Sequence, residues 1–583
     1  MERIWELVPH DTELIERLEL SAKVSPVVAQ LLAARGIIQP DVIQQFLAAP
    51  MGDLHDPDRL PNVGTGAKTL YEAITSGKKI VIFGDYDCDG MTGTAILVNG
   101  LRLLKADVTY YVPNRLQDGY GLNREAIESL AKRGCQLIVT VDCGVASVDE
   151  VDFANELGLD VIITDHHEFK DQLPAANAIV HPRLGDYPFH GLCGAGVAFK
   201  LIWSVFRLAS GSEKVKPALR NYLVSALGLA AIGTVADMVP LLDENRIIVK
   251  HGLTSLHRSQ HVGIRALLNV CKLSEKPNLG ADDIGFSLGP RLNAAGRLGQ
   301  AQLGVELLTT DSSERAEALA EYINNLNASR DSLERSVNLA AVKQIKEKFN
   351  ADRDAGFVLD GTGWHAGVIG IVAGRIAEKH HKPTVIISWD KLGHRAGLGS
   401  ARSAGGLQLH KAFEACSQHL LSHGGHAAAA GLKIDRNQID LFREEFLEYC
   451  SSEMTAKDVL PKIRIDAEVL LPQLTLQTMD QILKIAPFGQ SNPRPRFCAM
   501  EVELSGPPKK MGGGDRHLSL AVKQNGKTLR AVAFGKGEWC DDLSAESKPI
   551  DIVFQPVIND FRGIKKVELH LLDWRTSETS EAN

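Results

Sequence analysis

A chain of 583 residues, at roughly 100–200 residues per domain, holds several domains, each able to bury a core. With 44% hydrophobic and 23% charged residues, the composition is that of a globular protein. The net charge of −8 excludes a uniformly basic nucleic-acid binder, but a cluster of metal-binding acids can conceal a basic groove in that sum.

Residues 1–60 read as an N-terminal helical region, in which SPVVAQLLAARG stops on Gly36 and Pro50, Gly52, Pro57 and Pro61 mark a loop. The charged start, MERIWELVPHDTELIERL, has no apolar signal-peptide core. From about 78 to 240, short apolar runs alternate with helical stretches. KKIVIF, DVTYYV, QLIVTV, DVIIT and NAIV have the continuous β-branched character of parallel strands covered on both faces. The expected fold is α/β, a doubly wound parallel sheet over 61–310. LVSALGLAAIGTVA (223–236) is shorter than the roughly 20 residues a membrane span needs and is read as a buried helix. Residues 311–350 lack Gly and Pro and predict a long connecting helix. A smaller α/β unit follows over 351–455. Period-2 alternation over 456–575 predicts an antiparallel β domain, a small barrel, before a polar tail at 576–583.

Nine cysteines are scattered without a C-x-x-C pair, which argues against structural zinc and a disulfide framework and for reduced thiols in the cytoplasm.

The acids carry the chemistry. The first strand runs straight into Asp85-Tyr86-Asp87-Cys88-Asp89-Gly90. Another ends in Asp142-Cys143-Gly144, another in Asp165-His166-His167, and the apolar segment in Asp237. Parallel sheets bind ligands at the carboxyl ends of their strands, so these residues should meet in one crevice. One such Asp is ordinarily a cap or turn residue. Four acid-bearing segments in one α/β domain point to divalent cations, Mn²⁺ or Mg²⁺, the imidazoles favouring Mn²⁺. Two ions would clamp an in-line phosphoryl displacement.

These motifs resemble those of the DHH phosphoesterase superfamily. GPRLNAAGR (289–297) is similar to a stretch of its RecJ branch. WHAGVIG (364–370), GSARS (399–403) and GGH (424–426) resemble the associated DHHA1 domain, and PFG (487–489) followed by Asn492-Pro493 resembles the entry to an OB-type domain. The resemblance spans nearly the whole chain. It implies a two-metal 5′→3′ exonuclease for single-stranded DNA, acting in recombination and repair, including mismatch repair. It implies that Asp142 bridges two ions, that Asp87, with Asp85, holds one, and that Asp89, His166 and Asp237 hold the other. His167 would face the scissile phosphate and Asp165 would orient a histidine. Where the pyrophosphatase branch has a further His, this chain has Phe83, leaving Asp85 or water to fill that position.

Ser400, Arg402, Ser403 and His426 sit in glycine-rich contexts suited to phosphate binding. Arg115 could meet a phosphate and Tyr120 stack on a base; Arg291 and Arg297 are further candidates for DNA backbone contact. Lys509, Lys510, Arg516, Arg562, Lys565 and Lys566 suit a single-strand groove on the C-terminal domain. A single-strand DNA-binding protein and a helicase are partners implied by the resemblance, no membrane partner is expected, and a self-contained groove favours a monomer. Competing readings are a phosphoesterase for short oligonucleotides or cyclic dinucleotides, which the extra terminal regions argue against, and a non-catalytic scaffold, which the intact acids argue against.

Overall fold

The structure is a computed structural model that describes residues 3–114, 121–169, 171–350, 353–454 and 460–577. Its first sheet has five parallel strands in the order Val108–Tyr111, Ile80–Gly84, Leu137–Val141, Asp160–Thr164, Ala178–Val180. Alternation along Ile80–Gly84 divides the burial between two faces. Ile80 and Ile82 join the core beneath helices Val63–Thr75, Cys88–Leu103 and Gly194–Ser210. Val81 and Phe83 join a second core beneath Arg124–Lys132 and Val148–Glu156. The chain leaves Ile80–Gly84 for one neighbour and returns to the other side at Leu137–Val141. The crevice between their carboxyl ends is therefore a topological switch point, where doubly wound sheets bind ligands.

The apolar segment before Asp237 is longer than expected. Pro217 starts the helix, so Pro217–Ala236 spans 20 residues and meets the length and composition of a membrane span. Its residues from Ala226 to Thr234 are buried inside the protein, against Cys88–Leu103 and the helix Asp243–His257.

Ser313–Lys348 is one continuous helix of 36 residues. Near its middle Arg330 pairs with Glu334 at 2.6 Å, and Glu334 also pairs with Arg375 at 2.6 Å. The helix leads to a five-stranded mixed sheet in which Phe357–Thr362 and Thr384–Trp389 are parallel. Gly397–Arg402, Ala429–Ile434 and Ser422–Gly425 extend that sheet antiparallel.

In the C-terminal sheet, Phe497–Leu504 pairs with both Ile550–Phe561 and His517–Gln524, which closes a barrel through Ile564–Thr576 and Lys527–Ala533. The pairing is mostly antiparallel, but Lys527–Ala533 runs parallel to Ile564–Thr576. The N-terminal segment belongs to this barrel rather than standing alone. Ile4–Leu7 is a strand parallel to Lys462–Ile465, and Leu18, Val28, Leu31 and Leu32 share a core with Phe497, Phe554 and Leu569. Buried Arg246 ties the units together, donating to the carbonyls of Phe46 at 2.8 Å, Ile485 at 2.7 Å and Lys484 at 2.9 Å.

Candidate active site

Asp85, Asp87 and Asp89 follow Ile80–Gly84, Asp142 follows Leu137–Val141, and Asp165, His166 and His167 follow Asp160–Thr164. Asp237 caps the C-terminus of Pro217–Ala236. Their donor atoms form three groups, each within 4.8 Å: Asp85, Asp87 and Asp142; Asp89, His166 and Asp237; Asp142, His166 and His167. Asp142 belongs to two of them. It takes a left-handed backbone at φ 64°, a strained conformation for a residue with a Cβ, which overdetermined functional sites tolerate.

The electrostatics fit a cation. Burial, then the charge of neighbouring acids, raises Asp89 to about 6 and Asp237 to about 8 and pushes Asp142 well above the carboxylate range. Acids that resist ionising together are relieved by a bound cation. His166 is lowered to about 3, by burial first and then by His167, so its imidazole is neutral. Its Nε2 lies 3.0 Å from Asp142 Oδ1, 3.6 Å from Asp237 Oδ2 and 3.9 Å from Asp89 Oδ2, with hydrogen-bond geometry to none of them. A neutral nitrogen among carboxylate oxygens is a donor set for Mn²⁺ or Mg²⁺.

Other groups fix this geometry. Asp165 Oδ1 accepts from the His166 N–H at 2.7 Å, the His167 N–H at 3.1 Å and His167 Nδ1 at 2.8 Å, while Oδ2 accepts from the Val145 N–H at 2.9 Å. Burial raises the Asp165 carboxyl, but these bonds prevail and hold it below its ordinary value. Burial likewise opposes charge on His167, yet Asp165 and the surrounding acids raise it to about 9, leaving an imidazolium whose side chain is 44% exposed. Asp89 accepts from the N–H groups of Gly194 at 2.6 Å and Ala195 at 2.9 Å, at a helix N-terminus that favours negative charge. A Cβ at Gly194 would lie 2.6 Å from that of Asp142, and one at Gly233 would meet Asp89 Oδ1. Sequence reading missed these supports, because backbone donors leave no side-chain signature; the small residues of Cys193-Gly194-Ala195-Gly196 were the only trace.

The cleft over the acids has a volume of about 260 Å³, with Asp85, Asp87 and His167 facing Asn293 and Arg297. Asn293, also missed, accepts from the Cys88 N–H at 2.9 Å. Arg297 donates to the Gly367 carbonyl at 3.3 Å and so joins the second α/β unit to the cleft. One turn beyond Gly367 on the helix Ala366–His380, a Cβ at Gly370 would lie 2.9 Å from Ser400 Oγ and 3.1 Å from Arg402 Nη2. Arg402 Nη1 donates to Ser400 Oγ at 3.1 Å. His426 stands near Glu168, just past the two histidines, and contributes, after Arg183, to holding its carboxyl below the ordinary value.

Two candidates do not join this wall. Arg291 donates to Asn324 Oδ1 at 3.0 Å and the Ser287 carbonyl at 2.9 Å, because its helix turns it towards Ser313–Lys348. The Ser403 hydroxyl donates to the Leu407 carbonyl at 2.7 Å, closing its own loop. Arg115 and Tyr120 lie outside the described residues. Cys88 and Cys143 are buried, and burial raises both thiols well above their usual value, so they are neutral packing groups. Phe83 is buried against Tyr111, ring centres 5.1 Å apart.

Comparison with known proteins agrees with this arrangement. Residues 79–234 match the model of the DHH family N-terminal domain, 353–452 the DHHA1 domain and 465–573 the RecJ OB domain. The single-stranded-DNA-specific exonuclease RecJ of Escherichia coli (strain K12) is 34% identical over 579 residues, covering 96% of this chain and 97% of that protein. The chain belongs to the RecJ family. The RecJ of Bacillus subtilis (strain 168) is 35% identical over 580 residues, covering 98% of this chain and 71% of that protein. A crystal structure of RecJ in complex with Mn²⁺ from Thermus thermophilus matches with a TM-score of 0.83 at 29% identity, over 99% of this chain and 80% of that one. A Mg²⁺ complex of the same RecJ matches with a TM-score of 0.77.

Proposed function

We propose that this chain is a divalent-metal-dependent exonuclease that hydrolyses single-stranded DNA from its 5′ end. The observation that carries the reading is Asp142, shared by two donor groups at the switch point of the sheet. Asp85 and Asp87 would hold one ion with Asp142, and Asp89, His166 and Asp237 would hold the other. When bound, Mn²⁺ or Mg²⁺ would supply the Lewis acidity that makes water nucleophilic near neutral pH and would offset charge on the phosphate oxygens. His167, as an imidazolium, donates to a phosphate oxygen at the reacting centre. Asp165 keeps that ring in place through its bond to Nδ1. Arg297 neutralises phosphate from the opposite wall, and Ser400, Arg402 and His426 receive the terminal phosphate of the strand.

The barrel supplies a second contact with the strand. A cavity of about 1150 Å³ on its surface is lined by Lys527, Lys565 and Lys566 beside Phe561, which combines charge for the backbone with an aromatic face for a base. The working units are residues 61–310, 351–455 and 456–575, joined by the helix within 311–350. We infer that the protein works as a monomer in the cytoplasm, in recombination and repair, on strands exposed by a helicase and coated by a single-strand DNA-binding protein.

The test uses long single strands labelled at the 5′ or the 3′ end, with Mn²⁺, Mg²⁺ or EDTA, beside Asp142→Ala. The proposal expects prompt release of the 5′ label as short product and slow shortening of the 3′-labelled strand. It also expects silence with EDTA or with the variant. Cleavage of dinucleotides alone would replace the reading with that of a small-substrate phosphoesterase.

A further inference from the structure

The helix lining the cleft begins in a rare turn. Ile284–Leu288 form a single π-helical turn that feeds Gly289–Arg297. Ile284 and Leu288 are buried, whereas Phe286 between them is 80% exposed. The turn is anchored and does not fray. The Ser287 carbonyl accepts from Arg291 Nη1 at 2.9 Å and from Cys271 Sγ at 3.7 Å. Gly285 faces Val235 and Gly289 faces Ala236, so the turn sits on the end of the helix that delivers Asp237. Single π turns concentrate at functional sites, where they re-aim side chains.

Phe286 stands one π turn ahead of the α-helix that carries Asn293 and Arg297 to the cleft. Positions 290, 293 and 297 share one face of that α-helix, and Asn293 and Arg297 on it line the cleft. At 1.5 Å per residue, Phe286 lies about 10 Å from Asn293 along the axis. Stacked nucleotides advance about 3.4 Å each, so that separation is two to three nucleotides. Met238, immediately after Asp237, is 70% exposed in a left-handed conformation. Beyond it the Leu241 N–H donates to the Gln490 carbonyl at 2.9 Å, within the C-terminal unit. An exposed ring therefore stands on the route from the acids towards the barrel.

We propose that Phe286 is a base-stacking step that holds the nucleotide two to three positions beyond the scissile phosphate. The proposal rests on the exonuclease reading. Every nucleobase offers a π face, so the step grips a moving strand without reading its sequence. It acts on strands long enough to reach it and leaves the reacting phosphate to the metal-binding acids.

The test compares the wild type, Phe286→Ala and Phe286→Trp, each with Mn²⁺, on a 5′-phosphorylated 20-mer and on a dinucleotide too short to reach the ring. Phe286→Ala should lower kcat/KM on the 20-mer about tenfold more than on the dinucleotide, mainly through KM, and Phe286→Trp should restore it. Tryptophan at this position should also be quenched by oligothymidylate in EDTA, relative to the wild-type signal, which reads stacking without turnover. Equal losses on both substrates would mean that Phe286 only supports the fold, and no loss on either would mean that no base stacks there; each overturns the proposal. Wild-type protein inactive on the 20-mer would instead overturn the exonuclease reading and this proposal with it.

Discussion

Stripped of metal by EDTA, the protein should lose stability as pH rises from 6.5 to 8. Asp237 has an ordinary value of 3.8 and is raised to about 8, by burial and then by Asp89 and Asp87. In this window the folded state holds a proton that the unfolded state has released, so folding weakens as pH climbs. At about 1.4 kcal/mol per pH unit, the window costs about 2 kcal/mol from this group. His167, raised from 6.5 to about 9, acts with the same sign, since its proton is bound folded and lost unfolded. Its side chain is 44% exposed, so solvent screening reduces its share to about 1 kcal/mol. His166 is depressed to about 3 and is neutral when folded, while its unfolded form gives up its remaining half proton across the window, an opposing gain of only about 0.4 kcal/mol. These two groups together give about 3 kcal/mol, a fall in Tm of about 10 °C for a catalytic domain of this size, and Asp142, pushed up in the same way, acts in the same direction. Scanning fluorimetry at matched ionic strength would measure it. Saturating Mn²⁺ should reverse the trend, because metal competes with these protons and binds better as they leave. Asp237→Asn should flatten the metal-free slope, because it removes both this proton and one of the acids that raise His167. A metal-free Tm that is flat or rises across this window, or an unchanged slope in the variant, would refute the argument from crowded acids.

Asp165→Asn removes the charge that holds His167 protonated and sets an NH2 donor against the Val145 N–H, and should cost about 10–100-fold in activity or metal affinity; metal titration and steady-state rates would separate the two. Arg402→Ala should slow cleavage of a 5′-phosphorylated strand about tenfold or more relative to a 5′-hydroxyl strand, as expected for losing a charged hydrogen bond to phosphate; equal slowing of both would remove Arg402 from the terminal-phosphate role. Lys200→Met strands Glu244, which is buried and bonded to both Lys200 and Tyr187, and should destabilise the catalytic domain by about 3–5 kcal/mol in denaturant unfolding.

The acids were legible because a parallel sheet places the ends of separate strands at one edge. Once KKIVIF and QLIVTV are read as strands, Asp85 and Asp142 have nowhere else to go. What remained hidden was set by phase and by distance in sequence. Arg291 and Arg297 stand in one motif, yet six residues of helix turn one towards Asn324 and the other into the cleft. Ile4–Leu7 finds its partner more than 450 residues away, so local pattern could show its helical neighbours but not the barrel that completes their core. Pro217 lengthened a helix whose polar first turns, with Arg220 and Asn221, concealed its start.

The same distinction separates the ligands from their supports. A carboxylate at a strand end announces itself, whereas the N–H groups of Gly194 and Ala195 that hold Asp89 could belong to almost any residues. Their identity is constrained instead by what must be absent. A side chain at 194 would collide with Asp142, and one at 233 with Asp89. Asp142 itself, left-handed at φ 64°, is the costly position that these neighbours enforce, and it is shared by two donor groups. Gly194→Ala should therefore impair metal binding while leaving every candidate ligand in place. Wild-type Mn²⁺ affinity in that variant would show that the strained acid does not depend on the helix packed against it.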